Sequence, residues 1–170
     1  VAEAILALGS NLGDRAGNLQ RAIDYLAARG VRATRLSSVW ETPPVPVGQP
    51  AFYNAVAAVE TALAPEELLA VAKDVEHALG RRPSQHWGPR PIDIDILFMG
   101  DTRLATERLV IPHPRIAERL FVLVPLSEVV RGPLPVLGRS ALDLLAALPP
   151  EPLVRTPYAL RLPWTSAVLE

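Results

Sequence analysis

The 170-residue sequence predicts a single α+β domain, and three observations carry that prediction. Short apolar or β-branched runs alternate with segments of helical periodicity. The breaks between them fall on Gly, Pro and Asn, and the main body of the chain holds no internal repeat and no low-complexity linker. A chain of this length buries roughly 70% of the surface its unfolded form exposes, which is enough for one core.

In chain order, Ala4 to Leu8 is a short apolar strand closed by Gly9-Ser10-Asn11. Asp14 caps a helix whose apolar stripe is Leu19, Ala22, Ile23 and Leu26, with Gly30 as its stop. Val31 to Trp40 is rich in β-branched and hydroxyl residues and reads as one strand, followed by a proline-rich loop from Thr42 to Pro50. Phe52 to Thr61 reads as the third strand. Ala64-Pro65-Glu66-Glu67 opens a second helix, with proline in the first turn and acids at the positive end of the dipole. Its stripe is Leu68, Val71, Val75 and Leu79, and Gly80 ends it. An arginine-rich loop then leads to a strand from Ile92 to Met99. The order βαββαβ is that of a ferredoxin-like sandwich. Beyond it the sequence predicts a short strand near Leu104 to Ile111, a helical turn after Pro114 and a helix from Ser140 to Leu148. The domain is therefore placed at 1–148, and 149–170 is a Pro-rich C-terminal extension to which the sequence assigns no role.

A formal net charge of −1 gives no reason to expect a polyanionic partner, so neither nucleic acid nor a membrane surface is expected. Without cysteine there is no disulfide and no thiolate metal site. Val1 to Leu8 is too short for a signal core, and the apolar run Leu120 to Leu126 is interrupted by Pro125 and far short of a membrane span. The expectation is a cytoplasmic protein, with monomer and homodimer both open. Of the 17 basic residues only Lys73 is a lysine; the rest are arginines, whose planar forks suit phosphate oxygens.

The chemistry concentrates around Ile92-Asp93-Ile94-Asp95-Ile96. Strand alternation puts the isoleucines on one face and both aspartates on the other. Two adjacent carboxylates repel one another, and hard oxygen ligands without His or Cys suit magnesium. The alternative for such a pair is a solvated polar face. The preceding loop, Gly80-Arg81-Arg82-Pro83-Ser84-Gln85-His86-Trp87-Gly88-Pro89-Arg90, changes that balance: carboxylates for a metal beside arginines for phosphate are the parts of phosphoryl transfer, and the loop reads as a nucleotide lid hinged at Gly80 and Gly88. No GxxxxGK[ST] and no GxGxxG is present, and Gly9-Ser10-Asn11-Leu12-Gly13 reads as a tight strand-to-helix turn. Phe52 and Asn54 share a strand face and, with the stiff Thr42-Pro43-Pro44-Val45, suit a polar planar ring. His113 and Arg119 can reach phosphates, and Phe121 can close the ring pocket.

From Ala4 to about Val129 the chain resembles the 6-hydroxymethyl-7,8-dihydropterin pyrophosphokinase family, through LALGSNLGD, SSVWETPP, QPAFYNAV, APEELL, GRR, WGPRPIDIDIL and TERLVIPHPRIAERLF. The resemblance implies diphosphoryl transfer from ATP to the hydroxymethyl group of a reduced pterin, with AMP leaving, in folate biosynthesis. It implies two magnesium ions on Asp93 and Asp95, with Arg81 and Arg90 among the catalytic groups. ATP contacts are implied for Glu76, Arg81, Trp87, Arg90, Arg108, His113 and Arg119. Arg82 and His86 are placed at the ATP through the same loop, where His86 stands in for the family's arginine and the loop is one residue shorter. Pterin contacts are implied for Thr42, Pro43, Val45, Phe52, Asn54, Trp87 and Phe121, with Phe52 where the family has a tyrosine and Tyr53 beside it facing away. Two rival readings remain: an ordinary γ-phosphoryl kinase, and a non-catalytic ferredoxin-like module that binds a ligand or metal.

Overall fold

The computed structural model describes residues 1–43, 48–82 and 88–163. Its elements are β1 (Ala2–Ser10), α1 (Arg15–Ala27), β2 (Val31–Leu36), β3 (Trp40–Thr42), β4 (Phe52–Thr61), α2 (Pro65–Ala78), β5 (Asp93–Met99), β6 (Leu104–Ala105), β7 (Val110–Ile111), a 3₁₀ turn (Ile116–Glu118), α3 (Leu120–Val129), α4 (Ala141–Leu145) and β8 (Val154–Arg155). The main sheet runs β5-β1-β4, with β2 and β3 both pairing with β4 and β8 pairing with β3. Every pair in it is antiparallel. β6 and β7 form a separate hairpin.

Strand alternation divides the interior into two layers. Ala4, Leu6 and Leu8 of β1, with Ala55, Ala57 and Val59 of β4 and Ile94 and Ile96 of β5, pack against the stripes of α1 and α2. The opposite face presents Ile5, Val56, Ala58 and Leu97 to Val122, Leu123 and Leu126 of α3 and Leu144 of α4. The sheet thus carries helices on both faces. Asp14 caps α1 by accepting from the Gly17 amide at 3.1 Å, and the Ala64 amide donates to Glu67 at 2.9 Å where α2 begins. Gly80, at φ +101°, ends α2 in the left-handed region that a side chain disfavours. The buried positions of α2 are Leu68, Ala72, Val75 and Glu76, so Val71 and Leu79 only flank the stripe.

Three expectations need correction. The segment from Val31 to Trp40 is two strands, because it takes up extra residues against β4: the register shifts between Ala33 and Arg35, and Leu36↔Ala57 is followed by Trp40↔Asn54. The break is held by Glu128 of α3, which accepts from the Ser38 amide at 3.2 Å, the Ser38 hydroxyl at 2.7 Å and Trp40 Nε1 at 2.8 Å. Second, the single short strand expected near Leu104 to Ile111 is two, β6 and β7, because the chain turns back on itself between Ala105 and Val110 and pairs as a hairpin. The apolar run interrupted by Pro125, to which the sequence assigns no element, is the helix α3, with the proline inside it. Proline in a helix interior costs about 3 kcal/mol, but Val122, Leu123, Leu126 and Val129 are buried, and each such burial returns about 1.5–3 kcal/mol. Third, the last helix stops at Leu145, and the chain continues into β8 on the sheet edge. Among the described residues no helix is long and apolar enough to cross a membrane.

Candidate active site

α3 covers the second sheet face only around Ile5, Val56 and Leu97. At the other end of that face lies a cavity of about 530 Å³, floored by Ala7 and Gly9 of β1. Small residues are required there. A Cβ on Gly9 would stand 2.9 Å from Asn54 Oδ1 and 3.5 Å from the Phe52 ring, both of which line the same cavity.

β5 supplies the acids. Ile94 and Ile96 enter the core while Asp93 and Asp95 line the cavity. Asp93 is neutralised: its Oδ1 accepts from Arg81 at 2.7 Å, and its Oδ2 is 3.6 Å from Arg90 Nη1. Asp95 makes no ion pair among the described residues, and burial, then the Asp93 charge, pushes its carboxyl up to about 6. Burial also raises Glu76, which is 3% exposed on α2. Its carboxylate accepts from the Ile94 amide at 2.8 Å and from Arg81 at 2.9 Å, fixing β5 and the Arg81 guanidinium together.

Three arginines and a histidine close this half of the cavity: Arg81, Arg90 and Arg119, with His113. Arg90 Nε is buried with no hydrogen-bond partner among the described residues, so a donor stands ready for an acceptor from outside. The Arg90 backbone is held by buried Asn11: the Arg90 amide donates to Asn11 Oδ1 at 2.8 Å, and the Asn11 amide donates to the Arg90 carbonyl at 3.1 Å. The Asn11 side chain also donates to the Pro50 carbonyl at 3.2 Å. Burial, then the charges of Arg119 and Arg115, lower the His113 pKa, so the ring is neutral at physiological pH. Its Nδ1 accepts from the Arg115 amide at 3.2 Å, which puts the proton on Nε2 as a donor.

The other half is suited to a ring. Thr42, Pro43, Phe52, Asn54 and Phe121 line it, and Asn54 Nδ2 donates to Thr42 Oγ1 at 2.7 Å. Arg90 lies 5.8 Å from the Phe52 centroid and Arg119 lies 5.5 Å from that of Phe121. Tyr53 faces the opposite way, 5.7 Å from Tyr158 with Arg15 3.8 Å from its centre.

The cavity therefore gathers eleven of the residues singled out from sequence: Thr42, Pro43, Phe52, Asn54, Arg81 and Arg90, then Asp93, Asp95, His113, Arg119 and Phe121. Glu76 lies behind its wall; Arg82 is exposed beyond α2; Arg108 is exposed in the β6–β7 turn. Val45, His86 and Trp87 lie outside the described residues, as do Pro44 and the middle of the arginine-rich loop. Sequence reasoning passed over Lys73 and Arg115, which also line the cavity. Lys73 had a signal, standing one helical turn before Glu76, and its Nζ is 3.4 Å from Glu76 Oε1. Asn11 was read only as a turn residue.

The donor set fits a hard divalent cation. Among the described residues no group of three or more His, Asp or Glu gathers at one point, so the chain offers two carboxylates and leaves the remaining positions to oxygens from elsewhere. Asp95, raised by burial and then by the Asp93 charge, is the carboxylate that a cation relieves.

Paired carboxylates facing several cations across a pocket with aromatic walls have the makeup of a phosphotransferase site. A family model for 7,8-dihydro-6-hydroxymethylpterin-pyrophosphokinase matches residues 5–131, and the chain belongs to that family. It is 44% identical over 154 residues to the 2-amino-4-hydroxy-6-hydroxymethyldihydropteridine pyrophosphokinase of Methylorubrum extorquens, covering 89% of this chain and 97% of the relative. The Bacillus subtilis protein of the same name is 44% identical over 128 residues, 74% of this chain and 77% of its own. The mitochondrial folate synthesis bifunctional protein of Arabidopsis thaliana is 45% identical over 129 residues, 75% of this chain, but the match spans only 23% of that longer relative. Among solved structures, an HPPK-DHPS in complex with substrates superposes with a TM-score of 0.69 at 13% identity, covering 86% of this chain and 43% of the other, a likeness of fold.

Proposed function

We propose that the chain transfers a diphosphoryl group from ATP to the hydroxymethyl oxygen of 6-hydroxymethyl-7,8-dihydropterin, giving AMP and the pterin diphosphate in folate biosynthesis. The observation that carries this reading is one cavity in which Asp93, Asp95 and the cations of Arg81, Arg90 and Arg119 face an aromatic and amide wall of Phe52, Asn54 and Phe121. Family membership over residues 5–131 supports it.

In this reading the pterin lies against Phe52 and Phe121, with Thr42, Pro43, Val45, Asn54 and Trp87 around it. The ring edge meets the Asn54 amide, which the Thr42 hydroxyl orients. The hydroxymethyl oxygen attacks the β-phosphorus, the bond from that phosphorus to the α,β-bridging oxygen breaks, and AMP leaves with the electron pair. The hydroxyl proton passes to solvent, and no covalent enzyme intermediate forms. Arg81, Arg90 and Arg119 balance the charge developing on the phosphate oxygens, and neutral His113 donates from Nε2. Arg82, His86, Trp87 and Arg108 complete the ATP side, while Glu76 orients Arg81. Asp93 and Asp95 would hold two magnesium ions, whose chemistry when bound is to neutralise phosphate charge and align the oxygens. Catalysis is then positioning and charge balance.

We also read β1, α1, β2 with β3, β4, α2 and β5 as a ferredoxin-like sandwich. The sheet order β5-β1-β4 with β2 outside supports this. The 1–148 kinase domain, the cytoplasmic placement and the absence of nucleic-acid and membrane partners are part of the same proposal. The test is product analysis with ATP, magnesium and the reduced hydroxymethylpterin. AMP supports diphosphoryl transfer, ADP makes the chain an ordinary kinase, and no turnover favours a binding module.

A further inference from the structure

The family match ends at residue 131, yet the chain beyond it returns to the sheet beside the ring-binding wall. β8 pairs with β3, Trp40 opposite Arg155 and Glu41 opposite Val154. One residue on, the amide and the hydroxyl of Thr156 both donate to the Val39 carbonyl at 2.9 Å. Tyr158 then meets Tyr53 in a tilted ring contact, and Leu160 packs against the main core. The segment ends on α1, where the Gln20 side chain donates to the Arg161 carbonyl at 3.0 Å and accepts from its amide at 2.8 Å.

We propose that residues 153–161 are a strap that positions the acceptor wall of the active site. β3 is three residues long, and its last residue, Thr42, with Pro43 after it, lines the cavity. A strand this short gains little from one neighbour, and an unpaired edge leaves its backbone groups to water. β4 pairs with all three residues of β3 and β8 with Trp40 and Glu41, so β3 is flanked on both sides up to the residue before Thr42, whose hydroxyl Asn54 reaches at 2.7 Å. α1, on which the strap ends, meets the same wall directly: Arg15 pairs with Glu41 of β3 at 3.3 Å and donates to the Ala51 carbonyl at 2.9 Å, just before Phe52. Among the described residues no hydrogen bond, ion pair or ring contact joins the segment to Arg81, Arg90, Asp93 or Asp95. Its loss is therefore felt by the ring and not by the polyphosphate. The proposal rests on the pterin reading of that wall.

The test keeps the full chain. Thr156→Pro removes both donors to Val39; Thr156→Val removes the hydroxyl alone; Gln20→Ala releases the α1 anchor. Expected for Thr156→Pro are faster hydrogen exchange at the Glu41 and Thr42 amides, a KM for the reduced hydroxymethylpterin raised about tenfold, and a KM for ATP within about twofold of the parent. The two milder variants move the same quantities less, in the same direction. Faster exchange with an unchanged pterin KM would make the strap merely structural and overturn the proposal. So would unchanged exchange, or pterin and ATP constants rising together. If Thr156→Pro does not fold, Thr156→Val and Gln20→Ala are read by the same criteria. A parent protein that yields no AMP defeats the proposed function instead, while exchange at residues 41–42 still reports on the strap.

Discussion

Arg81 donates to Asp93 across 2.7 Å while the same Nη1 lies 2.9 Å from buried Glu76, so one guanidinium balances two carboxylates of different burial. The Glu76 side chain is 4% exposed and that of Asp93 is 30% exposed. The inner partner matters for stability, and the outer one is open to ligand.

Removing the inner partner therefore separates charge from hydrogen bonding. Glu76→Ala leaves the Ile94 amide without its acceptor, and the expected loss is about 3 kcal/mol. Glu76→Gln keeps a carbonyl for that amide and should lose roughly half as much. Urea unfolding of both variants checks the order; equal losses would mean that the Ile94 contact contributes nothing.

Asp95 sets stability against function. Its folded carboxyl titrates at about 6 against an ordinary 3.8, so the folded state holds the proton more tightly. The contribution to stability is fully present below pH 3.8 and is lost as pH rises through 6. Asp95→Asn should accordingly make the metal-free protein more stable at pH 7.5, by on the order of 2–3 kcal/mol, with the gain vanishing near pH 4. The same substitution should remove most diphosphoryl transfer. Chelator-treated protein unfolded in urea at pH 4 and pH 7.5 gives the measurement, and a gain equal at both pH values would exclude the ionisation of Asp95 as its source.

His113 should titrate below the ordinary histidine value of 6.5, because burial and the flanking arginines oppose its charge. Stability from its neutral form is present above pH 6.5 and is lost as pH falls through the lower folded value. A phosphate placed on Nε2 favours the charged ring, so a nonhydrolysable ATP analogue should raise the midpoint. Imidazole proton shifts recorded with and without the analogue follow both; an unmoved midpoint would separate His113 from the phosphates.

Gly9 fixes the depth of the cavity. A Cβ there meets Asn54 Oδ1 at 2.9 Å, so Gly9→Ala must displace the amide or the strand. The expected result is a KM for the pterin raised about tenfold or more, with a smaller change for ATP. Steady-state kinetics with each substrate varied in turn would show it, and equal effects on both would point to general damage to β1.

The sequence by itself determined what depends on near neighbours. The alternation of Ile92, Asp93, Ile94, Asp95 and Ile96 assigned two faces of β5, and the 3.6-residue spacing of Leu19, Ala22, Ile23 and Leu26 assigned the buried stripe of α1. The separation of Phe52 from Tyr53 was legible for the same reason. Only the tertiary structure decided that α3 is a helix despite Pro125, that β2 and β3 part at Ser37, and that Glu128 holds the gap. It also decided that Asn11 holds Arg90, that Lys73 and Arg115 reach the cavity, and that Thr156 returns to Val39 across 117 positions. Periodicity records which way a side chain leaves its own backbone, a matter of a few dihedral angles. Which distant group meets it is settled by burial and by the need to pair every buried donor and acceptor, and no local pattern encodes either.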